Sequence, residues 1–203
     1  MRNLLVSKNK LENMYSSGSS MFEIAAKLGC SSNKVVYWMD KYKIKRRSRS
    51  DATYLKRNPG GDPFRIKKII SPEDNFLHGL GLGIYWGEGE KISKGKVRVA
   101  NSDPRLILSF RKFLVKSYQV KVSRIHYYII CFNDSDPNEV AEYWSKILKT
   151  SKDKFGKIVQ VPPQGKGTYR RKSRYGVCIL EISNIKLKKV LMGELKELRT
   201  LPG

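Results

Sequence analysis

Apolar residues in the N-terminal region recur at the three- and four-residue spacing of amphipathic helices and predict three short helices between residues 8 and 49. The first helix, KNKLENMYSS, ends before Gly18. The second begins at Ser20, and Glu23 stands three residues later, which is the spacing of a capping box. Its inward positions are Ile24, Ala25 and Leu28.

The turn after the second helix contains Gly29, a residue type that enters a tight turn at low cost because it has no Cβ. Ser31 or Ser32 caps the third helix, which runs to about Tyr42. Its predicted buried stripe consists of Val35, Val36 and Met39. Two short helices joined by a glycine-containing turn predict a helix-turn-helix. The string FEIAAKLGCSSNKVVYWM resembles the helix-turn-helix of resolvases and transposases.

The third helix is then expected to lie in the major groove of DNA. Its outward positions are Asn33, Lys34 and Tyr37, with Lys41 further along. Asparagine can pair bidentately with adenine, and lysine can donate to guanine. The alternative is a solvated face of a helical hairpin that binds protein.

A basic arm, KYKIKRRSRS, follows this helix directly. A basic segment in that place suits contact with phosphates or with the minor groove. Its candidate DNA contacts are Lys45, Arg46, Arg47 and Arg49. Residues 1–50 are therefore assigned to a helix-turn-helix DNA-binding domain, and the Pro-, Gly- and Lys-containing residues 51–70 to a basic linker.

The second domain, residues 71–203, shows three helix starts in which a cap residue precedes proline: Ser71-Pro72, Asp103-Pro104 and Asp136-Pro137. Strand-like segments lie near residues 96–102, 123–133, 157–161 and 175–183, and a last helix runs from about Asn184 to Leu198. The predicted order is α-β-α-β-α-β-β-α, an α+β domain.

The first of these helices, FLHGLGLGIYWGEGEK, holds five glycines in eleven residues. Each interior glycine disfavours a helix by about 0.8–1 kcal/mol relative to alanine. Gly79, Gly83 and Gly87 fall four residues apart on one face, where another helix could pack closely. The alternative is that GLGLG forms a strand with a glycine face. No register fits a dinucleotide-binding or phosphate-binding glycine loop.

The segment LGLGIYWGEG resembles the LAGLIDADG motif of homing endonucleases, and the resemblance covers about residues 72–198. It implies an αββαββα-type core, a saddle-shaped sheet that grips DNA, and two motif helices packed on each other. Because the chain has one copy of the motif, the resemblance implies a homodimer with Gly79, Gly83 and Gly87 at the interface.

The resemblance also places Glu88 at the catalytic position, where the family holds a divalent metal ion against the scissile phosphate. Oxygen ligands of this kind suit Mg²⁺ or Mn²⁺. Two departures leave cleavage open, because Trp86 occupies the usual first acidic position and Glu88 replaces aspartate. Lys96 is our candidate for the basic group near the attacking water, with Lys94, Lys154 and Lys157 as alternatives.

The segment GKGTYRRKSRYG, residues 165–176, joins the last two predicted strands. We expect it either to reach along DNA phosphates or to serve as a solubilising loop. Its candidate DNA contacts are Arg170, Arg171, Lys172 and Arg174.

Composition agrees with a polyanionic partner, since 41 Lys and Arg against 18 Asp and Glu give a net charge of +23. Residues 1–70 hold 16 basic and 5 acidic residues, so both domains share the excess. The three cysteines lack metal-site spacing, and no apolar run is long enough for a membrane span. We expect a cytoplasmic protein that binds double-stranded DNA and has no small-molecule substrate.

Three functions fit these observations. The first is a metal-dependent, site-specific DNA endonuclease, and the second is a transcription regulator whose related core no longer cleaves. The third, an RNA- or ribosome-associated protein, fits less well because the deep, narrow major groove of A-form RNA does not admit side chains.

Overall fold

The computed structural model describes residues 6–156, 158–162 and 173–200. The chain divides into two compact units, Met1–Pro63 and Phe64–Gly203. The protein is a mixed α+β structure, as predicted, with eight α-helices and one four-stranded sheet in the described part.

The first unit begins with three helices: α1 (Lys8–Ser16), α2 (Met21–Leu28) and α3 (Ser32–Lys41). Ser20 and Glu23 form the predicted capping box, in which the Ser20 hydroxyl accepts from the Glu23 N–H and the Glu23 carboxylate accepts from the Ser20 N–H. Gly29 ends α2 with a φ of +63°, a left-handed conformation that glycine adopts without strain. Ser31 caps α3 by accepting a hydrogen bond from the Lys34 N–H.

Apolar residues from all three helices form the core of this unit. Trp38 is buried in the α3 stripe, whereas Val36, which was predicted to be buried there, is only half-buried. The buried residues are Val6, Leu11, Tyr15, Ile24, Ala25, Leu28, Val35, Trp38 and Met39.

The predicted linker over residues 51–70 is wrong in its first part, because a fourth helix, α4, spans Arg49–Arg57. Ser48 caps it by accepting from the Asp51 N–H, so Ser48 and Asp51 form a local start signal that the surrounding charge obscured. The later part of the segment belongs to the second unit, where the Arg65 N–H donates to the Tyr118 carbonyl.

The second unit contains four helices and four strands: α5 (Pro72–Glu88), β1 (Lys96–Asn101), α6 (Pro104–Ser117), β2 (His126–Phe132), α7 (Pro137–Leu148), β3 (Val159–Val161), β4 (Val177–Ser183) and α8 (Ile185–Arg199). Ser71, Asp103 and Asp136 each accept a backbone hydrogen bond within the first turn of the next helix. The three predicted cap-proline starts are therefore confirmed.

The sheet has the strand order β1-β4-β2-β3. β4 pairs antiparallel with both β1 and β2, and β3 joins β2 in parallel. Arg98 and His126 lie opposite Glu181 from the two sides of β4.

The αββαββα order that the resemblance implies is corrected to αβαβαββα. After β1, the Asn101 side chain accepts from the Asp103 N–H, and the Asp103 carboxylate caps α6 at the Arg105 N–H. The chain therefore enters α6 directly, and no second strand of a hairpin follows β1.

A single antiparallel β-bridge involves the residues just before β1. Gly89 forms an isolated antiparallel bridge with Val99, and the Glu90 N–H donates to the Arg98 carbonyl at 2.9 Å. The end of α5 is thereby attached to the edge of the sheet.

The helices cover one face of the sheet, where alternate strand residues such as Val97, Val99 and Leu180 are fully buried in the core. The intervening residues on the sheet's outer face are half-buried or exposed, and they include Lys96, Arg98, His126 and Tyr128. Glu181 is the exception, since it lies on this face and is only 2% exposed.

Candidate nucleic-acid interface and acidic helix end

The outward side of α3 carries Asn33, Tyr37 and Lys41 at four-residue intervals, and all three are exposed. Tyr37 has 60% of its surface accessible, which is high for an aromatic residue. Lys34 is half-buried, with its Nζ 5.4 Å from the centroid of the Trp38 ring. We call Asn33, Lys34, Tyr37 and Lys41 the α3 outer face.

In the basic arm, Lys45, Arg46 and Arg49 are exposed, and Arg49 is the first residue of α4. The Arg46 guanidinium lies 3.8 Å from the Asp40 carboxylate, an exposed pair that contributes little to stability. These three cations remain accessible to an anionic partner.

Arg47, another predicted DNA contact of the basic arm, is held by contacts within its own unit. Its guanidinium lies 3.8 Å from the Tyr15 ring centroid and donates to the carbonyls of Gly18 and Ser19. Its N–H donates to the Tyr15 hydroxyl at 2.8 Å. Arg47 therefore binds carbonyls of the turn between α1 and α2 and stabilises the unit from within.

On α5, the predicted glycine row faces open space in the single chain. A Cβ built on Gly79, Gly83 or Gly87 would meet no atom within 4 Å. Exposed apolar side chains flank the row, and together they form what we call the α5 outer face: Phe76, Gly79, Leu80, Gly83, Trp86 and Gly87.

Gly81 has a different role, which the sequence did not indicate. A Cβ at this position would lie 2.0 Å from the Phe113 ring of α6, so only glycine permits this approach. The buried side of α5 thus packs on α6 through Gly81, Leu82 and Tyr85.

Glu88 is the last residue of α5 and is exposed. Its carboxylate forms no hydrogen bond or ion pair with the residues that the structure describes. Among those same residues, no three His, Cys, Asp or Glu side chains lie close enough to hold a metal ion together. A single chain therefore offers one free carboxylate at this helix end.

Two residues beyond Glu88, the structure shows a hydrogen-bonded ring that sequence reasoning missed. The buried Lys188 of α8 donates from Nζ to the Tyr85 hydroxyl at 2.7 Å and to the Glu90 carbonyl. The Tyr85 hydroxyl donates to the same carbonyl at 2.9 Å. We call these three residues the Lys188 ring.

Burial dominates the electrostatics of this ring. It lowers the pKa of the Lys188 ammonium, an effect that Glu90 opposes and Lys91 reinforces. Burial also raises the pKa of the Tyr85 hydroxyl, and the nearby Glu90 charge adds to the rise. The Glu90 carboxyl has a lowered pKa, chiefly because the Ser93 N–H donates to it.

Lys96, the predicted basic group for catalysis, has another partner. Its Nζ lies 3.0 Å from the Glu181 carboxylate, and Arg98 donates to that carboxylate from Nε at 2.8 Å. A carboxylate as buried as Glu181 needs compensating cations, which explains why Lys96 is drawn to it. Of the alternatives, Lys94 and Lys154 are exposed, and Lys157 lies outside the described residues.

In the basic segment 165–176, the predicted contacts Arg170, Arg171 and Lys172 lie outside the described residues. Arg174 is exposed, with its guanidinium 5.3 Å from the Tyr175 ring centroid. Tyr175 stacks on Tyr143 of α7 at 3.7 Å, and the Tyr175 carbonyl accepts from the Trp144 indole at 2.8 Å. The position of Arg174 is thus set by contacts of the next residue with α7.

Comparison with family models, with curated proteins and with solved structures found no match to this chain. Within the described ranges, no helix combines the length and the apolar character that crossing a membrane requires.

Proposed function

We propose that the protein is a sequence-specific double-stranded DNA-binding protein that acts as a homodimer. The observation that carries the proposal is the α3 outer face, which presents Asn33, Tyr37 and Lys41 on the second helix of a pair joined by the tight turn at Gly29. This arrangement supports a helix-turn-helix, a motif whose second helix enters the major groove. Asparagine and lysine there match adenine and guanine edges.

Charge supports a polyanionic partner for both units. Residues 1–70 hold 16 Lys and Arg against 5 Asp and Glu, and the whole chain has a net charge of +23. Exposed Lys45, Arg46 and Arg49 follow α3 directly, where they can contact phosphates that flank the site read by α3. Phosphate contacts of this kind supply affinity, and the α3 outer face supplies sequence preference.

The outer face of the sheet supports a second DNA contact in the larger unit. Lys96, Arg98 and His126 lie on it, and two-stranded β-ribbons can enter a major groove. Glu181 neutralises part of this charge, so the net attraction of the patch is modest.

The α5 outer face supports the homodimer. Soluble monomers rarely leave a contiguous apolar patch without a partner, and here Phe76 is 72% exposed and Trp86 47% exposed. The glycines between them leave room for a second helix to approach backbone to backbone. A second copy of the chain would offer the same surface, as a twofold interface requires.

A selection from randomised duplex DNA tests the binding proposal. We expect wild type to enrich one sequence family with related half-sites. Asn33→Ala should weaken the selected sequence preference. Asn13→Ala, a matched change at an exposed position of α1, should leave that preference unchanged. Failure of wild type to enrich any duplex would reject sequence-specific binding.

Metal-dependent DNA cleavage is a second candidate function, and the free Glu88 carboxylate favours it. Mg²⁺ is commonly held by one or two carboxylates together with substrate phosphates, so a single exposed carboxylate per chain fits such a site. In a dimer paired through the α5 outer face, two Glu88 residues would stand near one axis. The bound ion would supply Lewis-acid stabilisation of the phosphate oxygens.

The competing interpretation is a regulator that binds DNA without cleaving it. The observation in its favour is the αβαβαββα order, which departs from the αββαββα core implied by the resemblance. A Mg²⁺ or Mn²⁺ cleavage screen on the selected duplex separates the two interpretations. Cleavage by wild type and by the exposed-site control Glu142→Gln, but not by Glu88→Gln, would support the endonuclease, and binding without cleavage would support the regulator.

A further inference from the structure

Lys188 is a buried cation, only 3% exposed, on a helix whose neighbouring lysines Lys186 and Lys189 are exposed. Its Nζ lies 5.3 Å from the Tyr85 ring centroid and donates to two oxygens of the Lys188 ring. Both oxygens belong to the end of α5 or to the turn that follows it. Lys188 therefore connects α8 to the segment that contains Glu88.

A lysine in this place is unfavourable unless its hydrogen bonds are needed. Removing an ammonium group from water costs several kcal/mol, and hydrogen bonds recover only part of that cost. Leucine or methionine would fill the same space without this cost. Ionisable groups whose pKa burial has shifted, as at Lys188, are also common at functional sites.

Backbone hydrogen bonds also attach the segment after Glu88 to α5 and to β1. The Gly89 N–H donates to the Tyr85 carbonyl at 3.0 Å, and the Glu90 N–H donates to the Arg98 carbonyl of β1 at 2.9 Å. A Cβ on Gly89 would lie 2.3 Å from the Tyr85 side chain, so glycine is required at this close approach.

The charged side chains of the turn are held as well. The Glu90 carboxylate accepts from the Ser93 N–H at 2.6 Å, and Lys91 donates from Nζ to the Trp86 carbonyl at 2.6 Å. Of the charged groups around the ring, Glu90 and Lys91 come from the turn and Arg98 from β1. The backbone from Glu88 to Ser93 is thus fixed by contacts with α5, α8 and β1.

We propose that Lys188 is a positioning residue that fixes the backbone after Glu88 and thereby sets the point from which the Glu88 side chain extends at the end of the α5 outer face. This inference rests on the endonuclease candidate for its functional consequence. Its structural content, an ordered turn from Glu88 to Ser93 that depends on the Lys188 ammonium, stands independently of cleavage.

Hydrogen exchange of full-length Lys188→Met tests the structural content. The matched control is Lys189→Met, the same change one position along α8 at an exposed site. We expect the amides of Gly89, Glu90 and Ser93 to exchange at least about tenfold faster in Lys188→Met, because their hydrogen bonds open when the ring is lost. Unchanged exchange at these amides would overturn the proposal.

Tyr85→Phe is the second variant, in case Lys188→Met does not fold. It removes only the hydroxyl of the ring and keeps the stacking of residue 85 on Phe110, whose centroids are 5.8 Å apart. We expect the same amides to exchange faster in this variant.

The functional consequence is tested by separating binding from chemistry. In Ca²⁺, the affinity of Lys188→Met for the selected duplex should stay within about threefold of the wild-type affinity. In Mg²⁺, its single-turnover cleavage should be about 10- to 100-fold slower than that of wild type. A loss of this size is typical when a residue that orients a metal ligand is removed. The double variant Lys188→Met/Glu88→Gln should lose no more cleavage activity than the single variant Glu88→Gln. Equal losses of binding and cleavage would contradict a positioning role.

The outcomes of the two experiments distinguish the inference from the function on which it rests. Faster exchange of the turn together with a wild type that cleaves no duplex would reject the endonuclease and retain Lys188 as the residue that orders this turn. Unchanged exchange together with cleavage by wild type would retain the endonuclease and reject the role of Lys188.

Discussion

Arg98 and Glu181 face each other across β1 and β4, and the Arg98 Nε donates to the Glu181 carboxylate at 2.8 Å. Lys96 reaches the other carboxylate oxygen at 3.0 Å. Burial alone would raise the pKa of Glu181 and is the largest single influence, but the hydrogen bonds and charges of Arg98 and Lys96 together hold the pKa below its usual value near 4.5.

Glu181→Gln should therefore destabilise the fold in a pH-dependent way. The expected loss at pH 7 is about 1–2 kcal/mol, less than for a fully buried pair because Lys96 and Arg98 keep contact with water. The pKa of Glu181 is lower in the folded chain than in the unfolded chain. The stabilisation from its ion pairs is therefore complete when the pH is above the unfolded-state pKa, and it is lost as the pH falls through the folded-state pKa.

Urea denaturation at pH 7 and pH 3 measures this effect as the difference between wild type and Glu181→Gln. The difference should shrink towards zero at the lower pH. Glu197→Gln, at an exposed position of α8, is the control and should match wild type at both pH values. A difference as large at pH 3 as at pH 7 would contradict the assigned ion pairs.

Gly81→Ala and Gly79→Ala should change stability in opposite directions. Alanine at position 81 puts a Cβ 2.0 Å from the Phe113 ring, and overpacking of this kind costs about 1–3 kcal/mol. Alanine at position 79 meets nothing within 4 Å and should add up to about 1 kcal/mol through helix propensity. Thermal unfolding of both variants decides the point, and a stabilised Gly81→Ala would mean that α5 and α6 do not pack as described.

Local signals in the sequence were sufficient for the helix starts of the larger unit, because a cap residue followed by proline specifies a start within three residues. The same holds for the capping box at Ser20 and Glu23. The α4 start at Ser48 was missed because a run of basic residues before it and NPGG after it suggested a linker.

Contacts between residues far apart in the chain could not be predicted from the sequence. Lys188 and Tyr85 are separated by 103 positions, and nothing local to α8 distinguishes Lys188 from Lys189. Arg47 likewise looks like any other arginine of the basic arm, although it stacks on Tyr15. Of the predicted outward positions of α3, Asn33, Tyr37 and Lys41 follow from helical periodicity and are exposed, whereas Lys34 is half-buried.

Gly83→Leu should abolish the proposed homodimer without unfolding the chain. In the single chain, Gly83 faces open space, so leucine should not destabilise the monomer. In a paired helix interface, the same leucine would separate the two backbones. Gly193→Leu is the matched control, since Gly193 is an exposed glycine of α8 with nothing within 4 Å.

Sedimentation of both variants and of wild type, alone and on the selected duplex, measures the oligomeric state. Wild type and Gly193→Leu should be dimers on DNA, and Gly83→Leu should be a monomer with a normal unfolding transition. A wild type that remains monomeric on its DNA site at micromolar concentration would reject pairing through the α5 outer face.

The proposed DNA binding should weaken steeply with salt, because a chain of net charge +23 would displace counterions from DNA. If about 8 phosphates are contacted, log K should fall with log salt at a slope near −7. Lys45→Ala should make the slope shallower by about 1, whereas Arg47→Ala should act mainly on stability, since Arg47 is held by Tyr15. A wild-type slope shallower than about −2 would contradict an electrostatic contribution from both units.

Sequence-specific recognition of duplex DNA through α3 is tested by a specificity ratio at fixed salt. Wild type is titrated against the selected duplex and against a scrambled duplex of the same length and composition. We predict at least about a 10³-fold preference for the selected duplex. Asn33→Ala should lose about 1–3 kcal/mol on that duplex for each base contact removed and almost nothing on the scrambled one. Equal affinity of wild type for both duplexes, or equal loss on both in Asn33→Ala, would contradict recognition of DNA bases by α3.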